Sequence, residues 1–421
     1  MSTEDLKRNA KTAAGKSAGK SGSLFVRLKN RFIGENVPLF VDGPFNIGYF
    51  FIVVALLTVG LVMMFSASYV EAKYDGSSPF AYIKKQFMVA AAGIVVMLIV
   101  SKINPVVFKN FTVVAALVSL FFLCLVLVWY ADMGENKEAI KRWLPSPFSF
   151  QPSDLGKLGM IMLIAYLADK YKRRMDKNFF FPLVLVGTVG VFTLLVYLES
   201  HLSGTVIMFA IGIAMVFLSG VDRRWVALGI VVSVIALAII IPNREKIFSY
   251  YQNLRIDNFL VKNYYDTGGR YQTNQSLFAL GSGGVFGLGL GNSKQKFLYL
   301  PEPQNDFVFA IVGEELGFIR CVIIVLGFAA LVYVGFTIAE KRAQSAYERL
   351  LVLGIVLHIG FQSILNFLVV TDMAPNTGIS LPFFSYGGTA LLLQLVEMGM
   401  VLSVSRTGSR TKVKKRESKG D

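Results

Sequence analysis

The sequence predicts an all-α integral membrane protein with about ten transmembrane helices, both termini cytoplasmic and one large extracellular loop. Three observations lead there. Apolar runs of about 20 residues recur along the whole chain, each long enough to cross ~30 Å of hydrocarbon. Of the 421 residues 54% are hydrophobic and only 16% charged, with mean hydropathy +0.57, whereas a soluble chain carries about 25% charged residues. Finally, about two thirds of the 42 lysines and arginines fall in the two tails and in alternate links between the runs.

The runs place spans at 45–68, 83–101, 112–131, 155–169, 182–199, 204–220, 224–242, 307–338, 348–370 and 385–405. The fourth is short, and the eighth is long enough to be tilted or broken. An even number of crossings keeps both basic tails inside and sets loop 243–306 outside; that loop is basic too, but long enough to escape the charge rule. Residues 1–44 form an N-terminal tail whose AKTAAGKSAGKSGS stretch (10–23) is low in complexity and expected to be disordered. Residues 45–405 form the membrane domain, and 406–421 a basic C-terminal tail.

The net charge of +15 invites a nucleic-acid reading. Its location argues for lipid instead, because KYKRRMDK (170–177), DRR (222–224) and RTKVKKR (410–416) all flank spans. Cys124 and Cys321 lie within spans, and His201 and His358 are too scattered for a metal cluster. The informative polar segments fall on the outer side, where no nucleoside triphosphate is available.

Four of those segments have two readings each. In GSGGVFGLGLG (281–291) there is no strand and no P-loop ending, so a re-entrant segment in close backbone contact outweighs an anion nest. In KRWLPSPFSFQPSDLGK (141–157), Arg142 and Trp143 suit a headgroup anchor, while Asp154 and Lys157 share a helix face at the start of the fourth span. A lysine opposed to the helix dipole wants an anion, either Asp154 or a ligand phosphate. APNTGISLPFFSYGG (374–388) reads as a helix start capped by Ser385 or as a re-entrant cavity wall. YLPEPQNDFVFAIVGEELGF (299–318) holds the densest polar cluster: Asp306 is either an N-cap or a functional acid, and Glu315 could pair with Arg320.

These segments together resemble the SEDS family (shape, elongation, division and sporulation) of peptidoglycan glycosyltransferases. YLPEPQNDFVFAIVGEELG resembles its outer-loop signature, GLVMMFSAS (60–68) the end of its first span, and RWLPSPFSFQPSDLGK its QPSE-type motif. YQTNQSLFALGSGGVFGLGLGNSKQK (271–296) and NTGISLPFFSYGGTALL (376–392) match its remaining motifs. Five ordered motifs cover almost the whole membrane domain. Gln304 and Asn305 stand where the family commonly has a His-Thr pair, so no histidine can carry a proton there. Asp154 stands for the usual Glu. NTGISLPFFSYGG and VEMGMVLSVSR (396–406) are most similar to the division branch, with sporulation and elongation branches as alternatives.

The resemblance implies polymerisation of lipid II, a lipid-linked disaccharide-pentapeptide, with release of undecaprenyl pyrophosphate and inversion at the anomeric carbon. It implies Asp306 as general base. Glu302 would tune it, with a divalent cation such as Mg at Glu302 and Asp306 as an option and no other cofactor. Lys157 and Arg142 would stabilise the leaving pyrophosphate, and Trp143, Asp154, Gln275 and Ser385 complete the expected substrate contacts. Glu314 and Glu315 are expected to pack helices. The implied partners are a class B penicillin-binding transpeptidase and other division proteins at the septal membrane. Two rival readings make the chain a lipid II flippase or a division scaffold.

Overall fold

The computed structural model describes residues 38–130, 143–144, 150–172, 180–199, 201–222, 224–225, 227, 229, 231, 250–261, 270–376 and 378–417. Apart from one antiparallel bridge between Phe40 and Ile103, their regular structure is helical. In chain order the helices are α1 (Ile47–Tyr74), α2 (Ala81–Val100), α3 (Pro105–Val128), α4 (Pro152–Tyr171), α5 (Phe180–Leu198), α6 (Leu202–Leu218), α7 (Tyr250–Leu260), α8 (Tyr271–Gly283), α9 (Val308–Arg342), α10 (Ala346–Val370) and α11 (Gly388–Glu417).

By length and composition seven of these can cross a membrane: α1, α2, α3, α5, α9, α10 and the Gly388–Gly408 part of α11, with α6 as a shorter apolar helix. α4 is too charged to qualify on composition, since Asp154, Lys157, Asp169 and Lys170 lie along it. It is nonetheless central, sheathed by α3, α5, α6 and α10, which keeps Lys157 away from lipid, while Lys170 at its far end is exposed. Nine of the ten expected spans thus coincide with helices; most of the seventh, 224–242, lies outside the described residues, as do Arg142 and the cluster at 173–177. The expected ends shift by several residues, α1 running on to Tyr74 and α4 starting at Pro152, whose missing N–H suits a first turn.

Burial sorts the helices into layers. The apolar windows of α10 and α11 are 61% and 67% buried, against 28% for α2 and α3, so α10 and α11 form the inner wall. The two ends of the domain meet: Asn46 N donates to Ser405 Oγ at 3.0 Å, and Arg406 stacks 4.7 Å from the Phe45 ring and donates to Gly43 O. Both ends of the domain therefore lie on one face of the bundle. Packing on the bundle already begins at Val41, inside the stretch expected to be tail.

The long α9 is broken, as its length suggested. Gly317 sits at φ 77°, ψ 176°, outside helical geometry. A break orphans amides and carbonyls on either side, and in a membrane each needs a partner. The glycine-rich segment supplies them: Phe318 N and Ile319 N donate to Gly284 O and Val285 O, while Leu288 N and Gly289 N donate to Glu314 O and Glu315 O. Glycine is required at this crossing, because a Cβ on Gly287 or Gly317 would lie 2.3 Å or 2.2 Å from the opposing backbone. The close-contact reading of residues 281–291 therefore holds. The amides of Gly287, Leu288 and Gly289 all donate to backbone carbonyls of the chain itself.

Candidate active site

The acids at 314 and 315 turn out to fasten this segment. Glu314 accepts from Ser282 Oγ, Ser293 Oγ and the amides of Lys294 and Gln295. Glu315 is fully buried, paired with Lys296 Nζ at 2.9 Å and hydrogen-bonded by Ser66 Oγ. Its expected partner Arg320 instead caps Phe286 O and Leu316 O, because the break at Gly317 turns that side chain back over the freed carbonyls. The packing role expected of both acids thus takes a specific form: they lock the loop that leads into residues 299–306.

Those residues reach the start of α9 without a side-chain cap. The N-cap position is Phe307, so Asp306 is one residue too early to serve as an N-cap. Asp306 is half-buried. Its carbonyl accepts from Asn366 Nδ2 at 2.8 Å, and its Oδ2 faces Gly378, where a Cβ would come within 3.1 Å. Arg255 of α7 approaches the same point, 3.7 Å from that Cβ position. Burial pushes the Arg255 guanidinium below its ordinary range, and the charge of Asp306 opposes the shift. Glu302 is exposed and strained at φ 44°, with Asn305 Nδ2 donating to it at 2.8 Å. Gln304 points inward, hydrogen-bonded to Glu71, and its carbonyl accepts from Tyr386 N.

The second cluster is at the start of α4. Lys157 is 5% exposed, salt-bridged to Asp154 Oδ1 at 2.9 Å and donating to Gln362 Oε1 at 3.1 Å. Gln362 in turn donates to Ser380 O in the segment before α11. α10 holds both clusters: Gln362 engages Lys157 and Asn366 engages Asp306, four residues apart on one helix face and roughly 6 Å along the axis. Gln151 and Ser153, beside Asp154, also contact His201 at the start of α6.

The remaining expected residues are less central. Ser385 Oγ accepts from Leu381 N and its carbonyl from Gln86, so it closes the turn before α11 and does not cap that helix. Gln275 and Trp143 are half-buried, and none of the bonds described above reaches them. A cavity of about 210 Å³ opens between α7, α8 and the segment after α10, with Arg255, Arg270, Thr273, Asp372 and Asn376 in its wall. Arg270 is held there by Asp372 at 2.8 Å and by Asn258 O. Among the described residues, no three His, Cys, Asp or Glu side chains group as a metal cage.

Residues 48–410 match the family described as cell cycle protein, FtsW, RodA and SpoVE. This chain belongs to that family, the SEDS proteins. It is 36% identical over 361 residues to stage V sporulation protein E of Bacillus subtilis, spanning 84% of this chain and 95% of that protein. A protein of Geobacter sulfurreducens named probable peptidoglycan glycosyltransferase FtsW is 36% identical over 362 residues, spanning 84% and 92%. Two solved structures share the SEDS fold. The rod shape determining protein RodA of Thermus thermophilus aligns over 86% of this chain and 97% of its own, at TM-score 0.61 and 23% identity. A chain from a peptidoglycan synthase complex, studied for the coordination of polymerization and crosslinking, aligns over 86% and 98%, at TM-score 0.69 and 22% identity.

Proposed function

We propose that this SEDS protein is a peptidoglycan glycosyltransferase that polymerises lipid II at the outer face of the cytoplasmic membrane. The carrying observation is the pairing on α10: Asn366 holds the backbone carbonyl of Asp306 and Gln362 holds the Lys157 ammonium, one turn apart. That spacing suits the two ends of a glycosyl transfer. Asp306 accepts the proton of the acceptor's sugar hydroxyl as it attacks the anomeric carbon of the donor. Lys157, with Arg142, takes the charge that develops on the departing undecaprenyl pyrophosphate. A single displacement inverts the anomeric centre and leaves no sugar on the enzyme.

Arg255 meets Asp306 beside Gly378 and sets an opposite charge next to the carboxylate. Trp143, Asp154, Gln275, Ser385 and Glu302 line or shape the substrate path. A divalent ion such as Mg would find at most Glu302 and Asp306 from the chain there; when bound it would supply positive charge beside the diphosphate. The relatives' name FtsW supports a septal role, and the likeness to a synthase-complex chain supports pairing with a class B penicillin-binding transpeptidase.

The flippase reading draws on one feature, the polar groups buried inside the bundle at Lys157, His358 and Glu397. Purified protein given lipid II and no nucleotide separates the readings. A transferase makes glycan strands in detergent. A flippase makes none and moves labelled lipid II across sealed vesicles.

A further inference from the structure

Behind Lys157 a chain of buried polar groups continues into the bundle, and the transfer chemistry leaves it without a task. Gln362 Oε1, already accepting from Lys157, lies 3.0 Å from His358 Nε2. His358 Nδ1 lies 3.0 Å from the Glu397 carboxylate of α11. Gln362 and His358 are each 3% exposed and Glu397 is 1% exposed.

Donor and acceptor rules fix the protons. Gln362 donates through Nε2 to Ser380 O and receives from Lys157 at Oε1, so its amide orientation is set. Oε1 is an acceptor only, and His358 Nε2 must therefore carry a hydrogen. With Nε2 protonated, a neutral ring would turn the Nδ1 lone pair on a carboxylate at 3.0 Å. That contact is repulsive unless one more proton lies between them, on Nδ1 or on Glu397. A buried group left unmatched here would be costly, and the extra proton removes the mismatch.

We infer that Glu397 and His358 share one proton and, through Gln362, form a positioning relay that aims Lys157 at the leaving diphosphate. The shared proton locks His358 as a donor, the histidine locks Gln362 as a double acceptor, and Gln362 fixes Lys157 Nζ. These are positioning residues. For the target of Lys157 the inference rests on the proposed transfer reaction; the proton count does not depend on it.

Two measurements on the full-length protein in nanodiscs test the relay. In ¹⁵N-histidine-labelled protein, with His201→Gln used to assign the two histidines, Nε2 should be protonated. Either an Nδ1–H signal or a protonated-carboxyl C=O stretch should be present and vanish in Glu397→Gln. Absence of both signatures in the unsubstituted protein, or an unprotonated Nε2, overturns the relay whatever the polymerase assay gives. In lipid II polymerisation, Gln362→Leu should lower kcat/KM by on the order of 10²-fold. It should add nothing in a Lys157→Met background, because it acts through that lysine. Glu397→Gln, whose amide can donate to Nδ1, should stay within a few-fold of the unsubstituted protein. Additive losses in the Lys157–Gln362 cycle contradict the relay. A protein that polymerises nothing in any form contradicts the transferase reading instead, and the spectroscopic result then decides the relay alone.

Discussion

At the scale of single residues, the decisive groups are Lys157 and Asp306, and the structure changes why each is there. A buried lysine beside Asp154 could be no more than half of an ion pair. If pairing were its whole role, removing both charges should be milder than removing one. The account expects otherwise: Asp154→Asn with Lys157→Met should be as inactive in polymerisation as Lys157→Met alone. Recovery in the double variant would reduce Lys157 to a structural role. Three other residues at the site carry a signal legible in the sequence. His358, Gln362 and Asn366 recur every four residues along an otherwise apolar helix, a polar stripe on one face. Arg255 and Glu397 offered no comparable signal, since their meaning depends on what packs against them.

At the scale of elements, the sequence showed most of the helices and one of their defects. The length of α9 suggested a break, but only the structure explains the acids beyond it. Glu314 and Glu315 satisfy amides, hydroxyls and Lys296 of the loop that wraps the break at Gly317. Such long-range pairing between residues 293–296 and 314–315 has no periodic signature, which is why Arg320 was the expected partner. Breaking a buried pair strands its other charge. Lys296→Met should therefore destabilise the protein by about 3–5 kcal/mol, and adding Glu315→Gln should restore part of that loss. Gly287→Ala, at φ 82° against the α9 backbone, should cost about 1–3 kcal/mol. Thermal unfolding in detergent measures all three. Unchanged melting in Gly287→Ala would mean that the crossing is looser than described.

At the scale of the whole molecule, everything depends on which face looks outward. The meeting of residues 43–46 with 405–406 fixes the two ends together, and the charge rule expects basic tails on the cytoplasmic side. Ser77, between α1 and α2, and Lys341, near the end of α9, are both exposed and fall on opposite sides in this account. In a background lacking Cys124 and Cys321, Ser77→Cys should react with an impermeant maleimide from outside and Lys341→Cys should not. The reverse pattern would turn the site toward the cytoplasm. The central claim is that this bundle positions Asp306 as the base of a glycosyl transfer, and polymerisation of lipid II by the purified protein and its Asp306→Asn variant tests it most directly. Because Asp306 is not the helix cap, its loss leaves α9 intact, and Asn retains the size of the side chain. The unsubstituted protein should build glycan strands, and the variant, equally well folded, should be slower by at least ~10²–10⁴-fold. A folded Asp306→Asn protein that polymerises at the unsubstituted rate would contradict the account.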